Sequence, residues 1–244
     1  MKIDYIKPTI FDGYNLIAGV TKRNIEKNMP YGFTISSAKI ADSETVLGNR
    51  KFLANEIGID FSNMIFQKQV HGDYVRFVNS NSDCYIESDG MYSNQIGIIL
   101  NISIADCAAL LIYDKVKKVI CGEHSGWKGT SLNISGKAIQ ILKNEFASNP
   151  EDLLVYISPC AGGDKYEVGA DVAELFPRSI KPKENGKFLF DNKNEIYLQL
   201  IDEGIPEKNI EISEICTISN SDFHSYRRDG DNSGRMSAFI GMSL

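Results

Sequence analysis

Short apolar runs rich in β-branched residues fill much of the chain, and they restrict the fold to one built on buried strands. The runs span residues 64–66, 96–104, 108–113, 118–121, 153–157 and 210–215. Apolar residues at helical spacing occupy the segments 43–57, 134–146 and 196–201. Because runs of strands are interrupted by isolated helices, the pattern predicts a mixed α/β (α+β) fold rather than strict βαβ alternation.

Turn and loop signals subdivide this pattern without marking a domain boundary. Asp12-Gly13 is a turn pair between two short apolar segments, and it predicts a hairpin formed by residues 9–11 and 16–18. The lysine-rich stretch 181–193 is typical of a surface loop. No repeat, low-complexity tract or flexible linker interrupts the chain, so we expect one domain over residues 1–244.

Composition excludes several classes of protein. The chain has 244 residues and a formal net charge of -6, which argues against broad binding to nucleic acid, where Lys and Arg must neutralise phosphates. The sequence shows no secretory signal and no apolar run long enough to span a membrane, so we expect a cytoplasmic protein that binds no membrane. Its five cysteines are scattered and never spaced as Cys-x-x-Cys, which is typical of free thiols in a reducing compartment.

Three potential metal ligands come at the ends of predicted strands. His71 follows the run at 64–66, Cys107 follows the run at 96–104, and His124 follows the run that ends at Cys121. Loops at one edge of a sheet are where a rigid scaffold usually presents catalytic groups. The pattern therefore predicts that these three side chains converge on one site.

Two imidazoles and a thiolate form a known open zinc set, with one tetrahedral position left for water or substrate. A metal in that set lowers the pKa of its bound water to roughly 7 and so creates a nucleophile at neutral pH. The spacing alone leaves a second interpretation open. Cys107, next to Ala108-Ala109, could be a small core residue, and either histidine could be a hydrogen-bonded loop residue.

Five motifs resemble, in order, the signatures of one enzyme family. They are Gln69-Val70-His71-Gly72, Ala105-Asp106-Cys107, His124-Ser125-Gly126-Trp127-Lys128-Gly129, Tyr166-Glu167-Val168-Gly169 and Phe223-His224-Ser225-Tyr226-Arg227-Arg228-Asp229. The family is the YfiH-like family, also labelled laccase-domain or polyphenol oxidase and purine nucleoside phosphorylase. The resemblance extends from about residue 21 to residue 235, nearly the whole chain.

This resemblance implies a fold, a metal and an activity. The fold would be a mixed β-sandwich flanked by helices, similar to the CNF/YfiH-like putative cysteine hydrolase fold, and His71, Cys107 and His124 would be zinc ligands. The implied reaction is phosphorolysis of adenosine, inosine or methylthioadenosine, with adenosine deamination as a companion activity, so the partners would be a purine nucleoside and phosphate. We also expect a homodimer, because small globular enzymes are often symmetric dimers.

Copper fits the sequence less well than zinc. A blue-copper centre takes two histidines and a cysteine, but a laccase needs a further histidine-rich copper cluster, and only His224 would remain. His224 itself stands where the family usually has an aromatic residue, which indicates packing beside Tyr226. Trp127 is likewise assigned to packing rather than to stacking on a base.

Several charged residues are candidates for the rest of the site. Asp106 could orient a ligand histidine or the metal-bound water, or it could cap the following turn. Glu167 could be an acid or base, or part of an ion pair at a sheet edge. The candidates for an anion site are Arg23, Arg50, Lys128, Arg227, Arg228 and Arg235. Lys128 departs from the arginine usual in the family and offers a point charge in place of a planar fork.

Two other functions remain open at this point. In the first, Cys107 is a nucleophile and His124 or His71 is its base, which gives a cysteine hydrolase for an amide such as a peptidoglycan fragment. In the second, the chain is a non-catalytic zinc- or ligand-binding protein.

Overall fold

A computed structural model describes residues 2–25, 31–36 and 41–243. The strands in these residues are β1 (Tyr5–Ile6), β2 (Leu16–Thr21), β3 (Met64–Phe66), β4 (Val75–Phe77), β5 (Gly90–Ser93), β6 (Ile99–Ile104), β7 (Ala108–Asp114), β8 (Val119–Ser125), β9 (Leu153–Ile157), β10 (Glu167–Val168), β11 (Ile180–Pro182), β12 (Phe188–Phe190), β13 (Ile210–Ile212) and β14 (Met236–Met242). The α-helices are α1 (Ser43–Glu56), α2 (Trp127–Ser131), α3 (Ile134–Phe146), α4 (Ala170–Ala173), α5 (Asn192–Asp202) and α6 (Tyr226–Asp229).

Two large mixed sheets organise the described part of the chain. The first has the order β1-β2-β14-β6-β3, antiparallel except for the pair β3 and β6. The second has the order β13-β9-β7-β8-β5-β4, with parallel pairs only at its two edges. A small antiparallel sheet, β10-β12-β11, lies beyond them.

The two large sheets pack face to face with helices on their outer faces. The core between the sheets contains, among others, Leu100, Ile102, Leu111, Tyr156 and Ile240, all essentially inaccessible to solvent. Leu53 and Ala54 of α1 pack against the first sheet, while α3 and α5 pack against the second. This arrangement is the predicted mixed β-sandwich flanked by helices.

Local patterns predicted most of these elements. The helix predicted at 43–57 is observed as α1, where the Asp42 side chain accepts a hydrogen bond from the backbone N–H of Thr45. The helix predicted at 134–146 and the strands at 64–66 and 153–157 are observed at those residues. The helix predicted at 196–201 begins earlier, at Asn192.

Other predictions were wrong in detail, including the strand predicted at 210–215, which ends at Ile212. Residues 9–11 form a 3-10 turn, and β2 pairs with β1 and β14, so Asp12-Gly13 is a turn but does not join two paired strands. The supposed surface loop at 181–193 contains β11, β12 and the start of α5, because its apolar residues Phe188 and Phe190 pack with Val172 and Phe176. The strand predicted to end at Cys121 continues to Ser125.

In the described part of the chain, no helix is both long and apolar enough to cross a membrane.

Candidate active site

Register in the second sheet brings two of the three candidate ligands together. β7 and β8 pair antiparallel with Ala109 opposite His124, so Cys107, just before β7, lies at the same end of the pair as His124. His124 is therefore the second-to-last residue of β8, rather than a residue beyond the strand. His71 reaches the same place from the loop between β3 and β4.

The structure brings His71, Cys107 and His124 to one point. Their ligand atoms all lie within 4.8 Å of one another. The two imidazole rings meet edge to face, with centroids 4.8 Å apart. His71 is exposed, Cys107 is half-buried and His124 is buried, so the group forms a small cluster that is open on one side.

A buried carboxylate, Asp89, holds this cluster in place. Its Oδ1 lies 2.9 Å from Nδ1 of His124, which leaves Nε2 of His124 for Cys107 or a metal. The same carboxylate accepts hydrogen bonds from the backbone N–H groups of Val70, His71 and Gly72, at 3.1, 3.0 and 2.7 Å. One side chain thus positions both histidines.

The backbone at His71 needs that support. Its φ is +60°, in the left-handed region that few residues other than glycine adopt. Such a conformation costs free energy and persists only where surrounding contacts fix it. The three hydrogen bonds to Asp89 are those contacts, so we read the loop at 70–72 as held in shape for its histidine.

Charge separation stabilises the cluster. Burial raises the pKa of Cys107, but His124 and His71 outweigh that effect and lower the pKa to about 6. Burial likewise lowers the pKa of His124, yet Cys107 and Asp89 together raise it to about 9. Near neutral pH the pair is therefore a thiolate next to an imidazolium, and the thiolate is the form of cysteine that binds metals or attacks carbon.

Glycine is required beside the thiolate. A Cβ placed on Gly126 would lie 2.7 Å from Sγ of Cys107 and 3.6 Å from Cδ2 of His71. Real Cβ atoms do not approach sulfur that closely, so any larger residue would displace Cys107. This close packing accounts for the glycine in the segment Ser125-Gly126-Trp127.

The cluster opens into a cavity of about 1260 Å³. That volume exceeds the range usual for small-ligand pockets, so there is room for two substrates at once. Aromatic side chains on its wall are Tyr85, Trp127, Tyr166 and Tyr226. Basic side chains on its wall include Arg50, Arg227 and Arg235.

The side chains of these three arginines contact aromatic rings, a hydroxyl group and backbone carbonyls. Within residues 2–25, 31–36 and 41–243, none of them forms an ion pair with a carboxylate. Arg50 lies 4.0 Å above the ring of Phe66 and donates a hydrogen bond to the Tyr85 hydroxyl. Arg227 and Arg235 instead donate to backbone carbonyls. Unpaired guanidinium groups at a cavity are suited to binding an anion.

The other candidates for the anion site lie elsewhere. Arg23 pairs with Asp229 at 3.6 Å, and Lys128 is exposed beside the Trp127 ring. Arg228 donates to the backbone carbonyls of residues 217, 218, 220 and 223 and also pairs with Asp229. Its role is therefore to hold the backbone of this segment in place. None of these three lines the large cavity.

Glu167 forms the ion pair that sequence analysis gave as its alternative role. Its carboxylate contacts Lys183, and its backbone carbonyl accepts from Arg227. Glu167 and Arg227 also line a smaller pocket of about 310 Å³, which shares Trp127 and Tyr166 with the large cavity.

Asp106 lines the cavity but does not orient a ligand histidine. Its carboxylate accepts hydrogen bonds from the Thr217 hydroxyl at 2.7 Å and from the backbone N–H of Arg227 at 2.6 Å. Its own φ is +80°. These contacts fix the loop that presents Cys107, while Asp89 is the carboxylate that orients His124. A role of Asp106 in orienting a metal-bound water stays a prediction.

Backbone hydrogen bonds hold His224 in place, and apolar packing holds Trp127. The ring of His224 is inaccessible to solvent and forms hydrogen bonds with the Phe33 carbonyl and the Gly234 N–H. Trp127 packs against the apolar cluster of Val168, Val172 and Phe176 and presents one side to the cavity.

Sequence reasoning missed Asp89. The only local signal is the pair Asp89-Gly90 ahead of β5, a strand whose four residues give no clear apolar run. Asp89 acquires its role through pairing of β5 with β8, in which Gly90 lies opposite Glu123 and Asp89 therefore lies beside His124.

Comparison with known proteins finds one family over nearly the whole chain. Residues 18–243 match the family model described as multi-copper polyphenol oxidoreductase laccase. A purine nucleoside phosphorylase, YlmD, of Bacillus subtilis is 30% identical over 93% of this chain and 88% of its own length.

Solved structures give the same result. The crystal structure of YlmD from Geobacillus stearothermophilus superimposes with a TM-score of 0.91 at 26% identity, over 98% of this chain and 96% of that one. The crystal structure of the hypothetical protein YfiH of Bacillus licheniformis gives a TM-score of 0.87 at 26% identity, over 93% of each chain.

Proposed function

The chain belongs to the multi-copper polyphenol oxidoreductase laccase family. From the relative named purine nucleoside phosphorylase and from the cluster of His71, Cys107 and His124, we propose that it is a zinc-dependent purine nucleoside phosphorylase. Its substrates are adenosine, inosine or methylthioadenosine together with phosphate, and adenosine deamination is a companion activity. The names of the relatives support the nucleoside chemistry. The observation that carries the proposal is the convergence of His71, Cys107 and His124 on the wall of a basic, aromatic cavity.

The donor set fits zinc. Zinc would need tetrahedral ligand atoms roughly 3.5 Å apart. The three ligand atoms lie within 4.8 Å of one another, so they would have to move closer to bind it. His71 is exposed and can close the remaining gap by rotating its side chain. When bound, zinc supplies a Lewis acid that polarises a substrate oxygen or activates water.

The donor set does not extend to a laccase copper cluster. The sequence has three histidines, and the third, His224, is buried with both ring nitrogens engaged by Phe33 and Gly234. No further imidazole is left for the several copper ions that the family description names. The chain's own residues therefore favour a single ion over a multi-copper centre.

Arg227 and Arg235 support phosphate as the second substrate. In phosphorolysis, a phosphate oxygen bonds to the anomeric carbon of the ribose while the bond to the purine nitrogen breaks, and the purine leaves with a proton. Among the described residues, neither guanidinium forms an ion pair with a carboxylate, and we expect both to hold the phosphate at the wall that Cys107 also lines. The tyrosines of that wall, each with an arginine over its ring, supply apolar surface for a purine.

The proposal is tested by supplying inosine to purified, zinc-loaded protein with and without phosphate. We expect hypoxanthine and a pentose phosphate only when phosphate is present, and conversion of adenosine to inosine in a separate assay. Cys107→Ala is the matched inactive control. Absence of turnover of every nucleoside under both conditions would contradict the proposal and leave a non-catalytic metal-binding role.

A specific observation favours one second candidate. Cys107, His124 and Asp89 form a series of nucleophile, base and orienting carboxylate, which is the arrangement of a cysteine hydrolase. Its substrate would be an amide such as a peptidoglycan fragment. The two functions compete, because a thiolate bound to zinc is not free to attack carbon.

Iodoacetamide separates these two functions. If Cys107 binds zinc, the metal-loaded protein should resist alkylation at Cys107, and chelation should expose the thiolate. Rapid alkylation of Cys107 in the metal-loaded protein would favour the hydrolase.

A further inference from the structure

Cys160 and Cys216 lie side by side next to the loop that carries Cys107. The two residues form an isolated parallel β-bridge beyond β9 and β13, and the backbone N–H of Thr217 donates to the Cys160 carbonyl at 2.9 Å. Directly paired residues of neighbouring strands have Cα atoms about 4.8 Å apart. A disulfide needs Cα atoms about 4.4–6.8 Å apart, and the spacing of directly paired residues falls within that range.

Both thiols contact the same short segment. The Cys160 thiol donates to the carbonyl of Ala161 at 3.5 Å, and the N–H of Gly162 donates to Sγ of Cys216 at 3.2 Å. A Cβ placed on Gly162 would lie 3.0 Å from Sγ of Cys216. The glycine thus allows the Cys216 thiol to lie close to the backbone that follows Cys160.

We propose that Cys160 and Cys216 are a redox pair that forms a reversible disulfide with a small-molecule disulfide such as oxidised glutathione as the oxidant. Cys216 is half-buried and Cys160 is fully buried, so Cys216 reacts first. Its thiolate attacks one sulfur of the oxidant and releases one small thiolate. Burial raises the pKa of Cys160 to about 12, so its thiol loses its proton only to a base such as the released small thiolate. The Cys160 thiolate then attacks the Cys216 sulfur and releases the second small thiolate, which takes a proton from water.

The new bond would act on the wall of the cavity. Asp106, which precedes Cys107, is held from both segments: Ala161 donates to its backbone carbonyl at 2.9 Å, and the Thr217 hydroxyl donates to its carboxylate at 2.7 Å. A disulfide between the neighbouring cysteines would tie these segments covalently. We therefore expect oxidation to stiffen the support of the Cys107 loop rather than to rearrange it.

The test uses the full chain treated with oxidised or reduced glutathione, followed by denaturation and alkylation with N-ethylmaleimide. Of the five cysteines, oxidation should remove the labels of Cys160 and Cys216, and a peptide map should identify the 160–216 link. A label lost from Cys107 as a mixed disulfide with glutathione is distinguished in the same map. Tm should rise by about 5–10 °C, because the bond closes a long loop of the unfolded chain. Amide exchange should slow in segments 158–162 and 213–217.

Variants of single cysteines sharpen the result. Cys160→Ser and Cys216→Ser should each abolish the loss of two labels and the rise in Tm, whereas Cys84→Ser, at another half-buried cysteine, should retain both effects. Five alkylated cysteines in the oxidised wild type would overturn the proposal. A peptide map of the oxidised wild type that links Cys107 to Cys160 would also overturn it. That measurement does not depend on the folding of any variant.

Discussion

His124 and His224 are both buried, with 3% and 0% of their surface exposed, yet their surroundings are electrostatically opposite. His124 lies between Asp89 and Cys107, and these groups overcome burial and raise its pKa to about 9. His224 forms hydrogen bonds with two backbone groups and has Arg23 and Arg235 nearby, so burial and these cations lower its pKa to about 4. The chemistry of the partners, not burial, separates the histidine that we propose as a metal ligand from one that is structural.

The largest effect should come from exchanging each histidine for glutamine. His124→Gln removes a metal donor and should lower kcat/KM by about 1,000-fold, or ~4 kcal/mol, with loss of bound zinc. His224→Gln keeps a donor for Phe33 and an acceptor for Gly234, so it should leave zinc content and activity within about twofold while destabilising the fold by ~1 kcal/mol. Metal analysis and nucleoside assays on both variants give the measurement. Equal losses in the two would remove the distinction between the histidines.

The next effect is a change in the free energy of unfolding with pH, caused by the titration of His224. Because its pKa falls from 6.5 unfolded to about 4 folded, the unfolded state binds a proton first as pH falls. The stability that comes from keeping His224 neutral is fully present above pH 6.5. As the pH falls towards 4 it is lost, which lowers the free energy of unfolding by about 3 kcal/mol. Urea unfolding at pH 7.5 and 4.5 should show a smaller pH effect in His224→Gln than in wild type. An unchanged difference would contradict this assignment.

A smaller effect is expected on zinc affinity when the carboxylate of Asp89 or of Asp106 is replaced by an amide. Asp89→Asn loses the charge that orients His124 and accepts from three backbone N–H groups, so zinc affinity should fall about 10–100-fold. Asp106→Asn retains an oxygen for Thr217 or Arg227 and touches no ligand histidine, so its zinc affinity should change by less than about threefold. Competition with a chelator measures both variants. A greater loss in Asp106→Asn would assign the orienting role to the wrong residue.

The smallest effects are expected on the KM for phosphate when basic residues in or near the cavity are replaced. Arg235→Gln removes an unpaired charge from the cavity and should raise the KM for phosphate about tenfold, with little change in the KM for inosine. Lys128→Gln, at an exposed position away from the cavity, should change neither value by more than about twofold. Steady-state kinetics with varied phosphate distinguish them. A reversed order would mean that the anion site includes Lys128, as sequence analysis allowed.

An element of this fold can be predicted from the sequence when its own residues carry the apolar pattern, and not when pairing with distant strands fixes it. Strands 64–66 and 153–157 and helix 134–146 were predictable because their own residues are uniformly apolar or periodic. β14, central to the first sheet, went unrecognised, because Ser237, Ala238 and Gly241 dilute its apolar pattern and pairing with β2 and β6 fixes it.

The end of β8 was missed for a related reason. Glu123 and His124 are polar, and they are tolerated inside a strand because Ser135 donates to the Glu123 carboxylate and Asp89 bonds His124. Those partners are distant in sequence. The candidate ligands could thus be named from motifs, but Asp89, which positions them, could be found only from the pairing of β5 with β8.

The central claim is that His71, Cys107 and His124 bind one zinc ion that keeps an open position. X-ray absorption at the zinc edge of the purified protein tests it most directly. We predict one sulfur neighbour at about 2.3 Å and nitrogen or oxygen neighbours at about 2.0 Å, with the sulfur lost in Cys107→Ser. A zinc shell without sulfur, or one unchanged in that variant, would contradict the claim.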